Sequence, residues 1–214
     1  MNEYQYPHSE RPEITPFLPE QYFTVLEIGC GLGGFRTSLK SDIELWGIEP
    51  NQYAAQQAGL KGYKVLVGLY DDVELQCPDD HFDLIVCNDV IEHMVDHEKF
   101  LIAIKKKMRP DACIVGSIPN IRHFPILLKL VFEKDWHYTE TGVLDRTHLR
   151  FFTEKSLKRA FENCGYTIEK LAGINITEKY WFTVRSLIKY LLIHCTFGFF
   201  SDIRYVQFGF RIRV

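Results

Sequence analysis

The sequence lacks the features that mark membrane-spanning, secreted and nucleic-acid-binding proteins. No apolar run reaches the roughly 20 residues that cross a bilayer. The segment LIKYLLIHCTFGFF (187–200) is shorter and contains a lysine and a histidine. The start, MNEYQYPHSERPE, is polar and contains proline, so we expect no signal peptide. With a net charge of -3 and no basic block beyond KKKMR (105–109), nothing indicates a nucleic-acid partner.

Paired cysteine motifs are also absent. The 6 cysteines form no C-x-x-C and have no regular spacing, and several lie inside apolar runs such as LIVCNDV and ACIVGSI. This pattern is typical of reduced thiols in the core of a cytosolic protein, and it argues against a disulfide framework or a zinc site. We therefore expect a cytoplasmic location and predict no metal ligands.

What the chain does contain is a regular alternation of short apolar runs and helical patterns. Apolar runs without strict polar alternation are typical of a parallel sheet covered on both faces, so 214 residues predict a single doubly wound α/β domain. Predicted strands lie at 23–29, 43–49, 64–68, 82–89, 111–119, 166–174 and 205–214. Predicted helices lie at 33–41, 50–59 (closed by Gly59), 96–108 and 153–165, the last with Thr153 as N-cap, Ser156 as a poor capping-box partner and Gly165 at its end.

The stretch VLEIGCGLGGF (25–35) joins the first strand to a glycine-rich turn. It fits two fingerprints: G-x-G-x-x-G of dinucleotide folds, and E-x-G-x-G-x-G of S-adenosylmethionine (SAM) sites, which begins at Glu27. In both, glycines let a ligand lie against backbone amides at a helix start. In both, an acidic residue after the second strand binds the ribose, and Glu49 stands at that place.

Three features favour SAM over a dinucleotide. Glu27 is expected in the SAM pattern and unusual in a dinucleotide strand. The chain has no second domain to bring a hydride acceptor to a nicotinamide. The fourth strand ends in FDLIVCNDVIEHM (82–94), a polar cluster at the place where a SAM site lines the methionine arm.

These motifs together resemble a class I SAM-dependent methyltransferase, most closely the methyltransferase-11 or -23-like enzymes often found with bacterial surface-polysaccharide genes. The N-terminal element ERPE (10–13) precedes the glycine loop. The loop is followed, in the expected order, by LWGIEPNQYAAQQA (45–58), GSIPNIRHF (116–124) and YTETGVLDRTHLRFFTEKSLKRAFENCGY (138–166). The resemblance implies a Rossmann-like seven-stranded sheet whose last strand, 205–214, runs antiparallel. It also implies SAM as cofactor and methyl transfer as the reaction.

The resemblance further implies a set of cofactor-binding residues. Adenine contact is in doubt, because the family's acid after the third strand is replaced by leucine in VGLYDD (67–72). An N-terminal lid, 1–22, is expected to cover SAM through Arg11, with Tyr6 and His8 as further candidates. The predicted cofactor-binding residues are Glu27, Gly29, Cys30, Gly31, Gly33, Glu49, Pro50, Leu69, Tyr70, Asp71, Asn88, Asp89, Val90, His93 and Arg11.

The stretch 119–152 is predicted to form the acceptor site, because stacking and proton-binding groups are dense there. His148 is the first candidate for a general base. A helical segment would place Asp145 on the same face as its orienting partner, and His123 is the alternative base. An alternative role for Asp145 is a salt bridge to Arg146 that fixes this segment onto the sheet. The remaining candidate groups in the stretch are Trp136, His137, Tyr138 and Arg150.

The acceptor itself stays open. The density of polar groups favours a hydroxyl of a sugar, nucleotide-sugar or glycan. The alternatives are a quinone or other small aromatic acceptor, and a non-catalytic SAM- or NAD-binding module. The apolar insertion 175–203 is expected to contact a second subunit, to close over the acceptor or, through Lys179, Arg185 and Lys189, to touch a membrane surface.

Overall fold

The computed structural model describes residues 10–176, 188, 190, 191, 193 and 195–214. These residues form a seven-stranded sheet in the order β3-β2-β1-β4-β5-β7-β6. Strands β1 to β5 pair in parallel, and β7 runs antiparallel to both β5 and β6. The predicted fold and the antiparallel last strand are therefore confirmed. The strands are β1 (Thr24–Ile28), β2 (Glu44–Glu49), β3 (Lys64–Val67), β4 (Phe82–Asn88), β5 (Met108–Pro119), β6 (Thr167–Ile176) and β7 (Tyr205–Arg213).

Both faces of the sheet are covered, which explains the continuous apolar character of its central strands. Successive residues of a strand point to opposite faces. Val25 of β1 packs with Phe35 and Ala58 on one face, and Leu26 packs with Phe100 and Phe161 on the other. The helices that cover the faces are α1 (Gln52–Leu60), α2 (Tyr70–Val73), α3 (His97–Ala103), α4 (Phe124–Leu128) and α5 (Glu154–Asn163).

Two predicted helices before β3 differ from the structure. The segment 33–41 forms only a 3-10 helix, Gly34–Ser38, because it begins at a glycine in the left-handed region. Gly59 does not close α1, which continues to Leu60 and is followed by Gly62 at φ 92°. The predicted end of α1 was off by one residue, because a glycine near a helix end does not by itself show which residue is left-handed.

Two later helices also differ from the prediction, one in its length and the other in its N-terminal cap. The segment 96–108 becomes α3 followed by a 3-10 turn, Ile104–Lys107, and Met108 already begins β5. At α5 the capping box that Ser156 was expected to make poorly is present. Thr153 Oγ1 accepts from the Ser156 amide at 3.1 Å, and Ser156 Oγ accepts from the Thr153 amide at 2.9 Å.

The described part of the predicted N-terminal lid is anchored in the core. The 3-10 helix Pro12–Phe17 places Ile14 and Phe17 at 0% and 2% exposure, next to the sheet. Only Arg11, at its start, reaches toward the carboxyl ends of the strands. Tyr6 and His8 lie outside the described residues.

About half of the predicted apolar insertion, 175–203, falls on residues that are not described, including Lys179, Arg185 and Lys189, so its predicted contacts stay predictions. Its described ends are the last residues of β6 and a 3-10 turn, Ser201–Arg204. Across the part of the chain that is described, no helix is both long and apolar enough to cross a membrane. Five of the six cysteines are buried as predicted, and Cys195 is exposed.

Candidate functional site

The glycine turn after β1 presents bare backbone at the carboxyl end of the sheet. Gly29, Gly31 and Gly33 all have positive φ, at 69°, 50° and 69°. A Cβ on Gly29 would lie 2.9 Å from Cγ2 of Val90, so the loop after β4 packs directly against this glycine. Because these glycines have no side chains, a ligand can approach the backbone of the turn directly.

Glu49, the last residue of β2, connects the glycine turn to the start of α1. Its Oε2 accepts from the Gly31 amide at 2.9 Å, and its Oε1 accepts from the Asn51 amide at 2.9 Å. Both bonds fix the carboxylate in one orientation at the carboxyl end of β2. Pro50 is exposed beside it. The role of Glu49 as the ribose ligand stays a prediction.

Two residues of the predicted cofactor set turn inward and support the loop from below. The Glu27 carboxylate accepts from the Tyr63 hydroxyl at 2.5 Å and is 4% exposed. Its burial raises the pKa of Glu27 to about 8. The Cys30 side chain is buried against Gly47, where a Cβ would meet its sulfur at 2.5 Å, and burial raises the pKa of its thiol. Only the backbone of Cys30 is available to a ligand.

Asp89 is the centre of a polar network that sequence reasoning found only in part. Arg11 donates to one carboxylate oxygen, and Ser117 Oγ and Gln207 Nε2 donate to the other at 2.8 and 2.7 Å. The Arg11 guanidinium also donates to Ser117 Oγ at 2.7 Å. Ser117 lies near the end of a predicted strand, where it could have been suspected. Gln207, on the antiparallel β7, carried no signal in the sequence.

Asn88, the residue before Asp89, has a buried side-chain amide at the carboxyl end of β4. Its Nδ2 and Oδ1 are both buried, and neither has a hydrogen-bond partner among the described residues. An orphaned buried amide costs about 1–3 kcal/mol. Because it stands at the carboxyl end of β4, a polar ligand atom is the expected partner.

The loop after β3 separates the three candidates for adenine contact. Leu69 is 62% exposed and stands beside the left-handed Gly68. Tyr70 is 5% exposed and packs edge-on against Phe100 at 5.0 Å, so its ring belongs to the core. Asp71 points to Lys99, at 3.8 Å. The Tyr70 ring fills the space under α3, so only its backbone is available to a ligand, and adenine contact by Leu69, Tyr70 or Asp71 stays a prediction.

A second group of polar side chains forms where the segment 139–150 docks on the loop after β4. The amides of Leu149 and Arg150 donate to the Glu92 carbonyl at 2.8 and 3.0 Å. His148 is 7% exposed, and its Nε2 lies 4.0 Å from Oε1 of Glu92. The His93 and His148 rings pack edge to face, 4.7 Å apart.

Burial shifts the pKa values of Glu92 and His93. Glu92 is 1% exposed, and its pKa is raised well above the usual range. The main cause is burial, and the nearby charge of Asp89 adds to it. The pKa of His93 is lowered, mainly by burial and to a smaller extent by the neighbouring His148. Clusters of shifted groups are typical of functional sites.

The proposed pairing of Asp145 with His148 is not the one that the structure shows. The segment is a series of turns and not a helix, so the spacing of three does not place both on one face. Asp145 Oδ1 instead accepts from the Thr147 amide and hydroxyl at 2.8 and 2.7 Å, and the His148 Nδ1 contacts the Val143 carbonyl at 3.1 Å.

The other polar residues of 119–152 have local partners. Arg146 pairs with Glu140 at 2.7 Å in an exposed bridge, and not with Asp145 as the alternative supposed. Arg150 donates to the Val95 carbonyl at 2.5 Å. His123 is the residue before α4 and is partly buried, and its role as a base stays a prediction. His137 is exposed.

Aromatic rings line the approach to His148. Phe151 lies 6.4 Å from the His148 ring and 5.0 Å from Trp136, with the two rings nearly perpendicular in the second pair. Tyr138 completes the group at 6.3 Å from Phe151. Trp136 and Phe151 are partly exposed, so a flat ligand can stack beside them.

The residues at the carboxyl ends of the strands fit SAM as a ligand. A bare glycine backbone suits its amino-acid part, the Glu49 carboxylate suits its ribose, and the orphaned Asn88 amide suits a polar group between them. The set spans the ends of β1, β2 and β4, as ligands of open α/β sheets do.

Comparison with known proteins gives the same answer. Residues 4–171 match the family model described as a methyltransferase domain. The chain is 24% identical over 165 residues to the ubiquinone biosynthesis O-methyltransferase of Rickettsia bellii, covering 73% of this chain and 68% of that protein. It is 33% identical over 100 residues to the ajmaline N-methyltransferase of Rauvolfia serpentina, covering 42% of this chain and 34% of that enzyme.

Solved structures agree in fold. A SAM-dependent methyltransferase of Thermotoga maritima, described as a possible histamine N-methyltransferase, superposes with a TM-score of 0.66 at 19% identity, covering 97% of this chain and 89% of the other. A SAM-dependent methyltransferase of Archaeoglobus fulgidus superposes with a TM-score of 0.62 at 19% identity, covering 90% and 86%. Of the two fingerprints that the glycine loop fits, the SAM fingerprint is therefore the correct one.

Proposed function

This chain belongs to the SAM-dependent methyltransferases, and we propose that it methylates a hydroxyl of a small, flat acceptor of the phenol, catechol or quinol type. The acceptor stacks beside Trp136 and Phe151, next to the group formed by Glu92, His93 and His148. This proposal departs from the sugar acceptor that the sequence favoured.

The observation that carries the proposal is the distribution of polar and aromatic groups in 119–152. A sugar needs several free polar partners, but Asp145, Arg146 and Arg150 each hold a partner within the protein. Trp136 and Tyr138 instead pack around Phe151, whose ring lies 6.4 Å from that of His148. The curated ubiquinone O-methyltransferases that this chain resembles point the same way.

The geometry explains how the two substrates meet. The loop after β4 packs Val90 against Gly29, and two residues later it carries Glu92 and His93. One loop therefore lines the methionine arm with its first residues and the acceptor with its last. Holding both reactants in line lowers the barrier by removing the entropy of encounter.

The transfer itself is a displacement at carbon. SAM supplies a methyl group already activated on a sulfonium. The new bond joins the acceptor oxygen to the methyl carbon, the carbon–sulfur bond breaks, and its electron pair remains on sulfur, which leaves as the neutral thioether of S-adenosylhomocysteine. The hydroxyl proton passes to water or to a neutral imidazole of the group formed by Glu92, His93 and His148, beside which we propose that the acceptor oxygen binds.

The test is a methyl-transfer assay with radiolabelled SAM and two acceptor panels, one of catechols, phenols and quinols and one of sugars and nucleotide-sugars. We expect labelled product from the first panel, a KM increase of roughly tenfold in Trp136→Ala, and no change in Tyr53→Ala, whose exposed ring lies on α1. Methylation of the sugar panel alone would overturn the acceptor class, and no transfer to either panel would overturn hydroxyl methylation by this site.

A further inference from the structure

Glu92, His93 and His148 bring together one carboxylate and two imidazoles from distant parts of the sequence. One ligand atom from each lies within 4.8 Å of the other two. Around a divalent first-row cation, with bonds of roughly 2.0–2.2 Å, ligand atoms stand about 3 Å apart. The Glu92–His148 distance of 4.0 Å is already near that spacing, so small rotations of the side chains close the set.

The backbone around the two histidines prepares them as ligands. The Nδ1 atom of His148 lies 3.1 Å from the Val143 carbonyl, and the Nδ1 atom of His93 lies 3.2 Å from the Thr147 carbonyl. A carbonyl only accepts, so each Nδ1 carries the proton and each Nε2 keeps its lone pair. Metal-binding histidines in proteins are held in the same way by a carbonyl or carboxylate behind the ring.

Glu92 supplies an independent sign of a missing partner. Its side chain is 1% exposed, and neither carboxylate oxygen has a hydrogen-bond partner among the described residues. A buried carboxylate without a partner is costly, and coordination to a cation is one of the few ways to satisfy both oxygens. The backbone carbonyl of the same residue is already used by Leu149 and Arg150, which hold the segment 139–150 in place.

We infer that Glu92, His93 and His148 bind a divalent first-row cation, of the class that includes Zn²⁺ and Mn²⁺. Two imidazoles and one carboxylate suit these ions better than Mg²⁺ or Ca²⁺, which prefer oxygen ligands. The inference makes His148 a ligand and not the general base that the sequence indicated. Sequence spacing concealed the set, because His148 lies in a different segment from the other two ligands.

The chemical consequence rests on the proposed function. Three protein ligands leave coordination positions open, as in catalytic metal sites. Those positions suit the oxygen atoms of a catechol or quinol stacked beside Phe151, and a cation there makes an acceptor hydroxyl more acidic. Binding of the cation itself does not depend on that role.

The test is metal titration of the full chain, purified without a histidine tag and dialysed against a chelator. ZnCl₂ and MnCl₂ are titrated calorimetrically, and bound metal is measured by elemental analysis. We expect one ion per chain, an affinity at least tenfold lower in Glu92→Gln and in His148→Ala, and an unchanged affinity in His137→Ala, which removes an exposed histidine of the same segment. Glu92→Gln keeps the buried shape if His148→Ala fails to fold.

Absence of stoichiometric binding, or equal affinity in Glu92→Gln and wild type, would overturn the site. SAM binding is measured in the same samples. If SAM binds and the metal does not, only the metal site falls. If the metal binds and no hydroxyl acceptor is methylated with metal present, the acceptor proposal falls and the site stands.

Discussion

The Nε2 atom of His148 lies 4.0 Å from a carboxylate oxygen of Glu92, although the two residues belong to segments on either side of β5. The contact joins the acceptor segment to the loop that also lines the predicted cofactor position. A change at one site can therefore alter the other through the loop after β4.

Glu49→Gln is expected to lower the affinity for SAM and S-adenosylhomocysteine by roughly 10-fold to 100-fold, because hydrogen bonds to a charged group contribute about 1.5–3 kcal/mol. Isothermal titration measures both ligands. Glu44→Gln, at the other end of β2, is the matched control and should bind as wild type does. Equal affinity in the two variants would remove Glu49 from the ribose site.

Gly29→Ala is expected to destabilise the protein and weaken SAM binding, because its Cβ would stand 2.9 Å from Val90 and its φ is 69°. Gly59→Ala makes the same substitution inside α1, where nothing lies within 4 Å of the new Cβ. That change should leave the protein as stable as wild type or stabilise it by less than about 1 kcal/mol, since alanine has a higher helix propensity than glycine and Gly59 lies in the last turn of α1. Urea unfolding measures the stability of both variants, and titration measures their SAM affinity. A Gly29→Ala variant that is as stable as wild type and binds SAM normally would contradict a role for the bare glycine backbone in binding.

Glu27→Gln is expected to flatten the pH dependence of stability. Burial raises the pKa of Glu27 from 4.5 to about 8, so the folded protein keeps a proton that the unfolded chain loses. The contribution of this group to the free energy of unfolding therefore falls as pH rises from 4.5 to 8 and is constant above that window. Unfolding curves across this range should show a smaller slope in the variant, whereas parallel wild-type and variant curves would rule out the shift.

Arg11→Ala is expected to reduce the free energy of unfolding by about 1–3 kcal/mol, because it leaves the partly buried Asp89 carboxylate without its cation. Arg159→Ala, on the exposed face of α5, should change it by less than about 0.5 kcal/mol. In the double variant Arg11→Ala with Asp89→Asn, the two losses should not add, since both residues act in one network. Additive losses would mean that the pair does not couple.

The sequence by itself determined the class of the sheet, and it predicted where the cofactor binds. Apolar runs without alternation require burial on both faces of the sheet. The glycine turn and Glu49 lie at the carboxyl ends of two neighbouring parallel strands, so they must lie close together at the same end of the sheet. Those residues are close in the chain or are brought together by the strand pairing alone.

Tertiary packing decided the remainder, because it depends on which segments dock and which side chains fill the space between them. Tyr70 was drawn into the core beneath α3, and Glu27 turned to Tyr63 beneath the glycine turn. Gln207 reached Asp89 only because β7 is inserted between β5 and β6. His148 met Glu92 because the segment after β5 folds back in a series of turns that no local pattern of residues specifies.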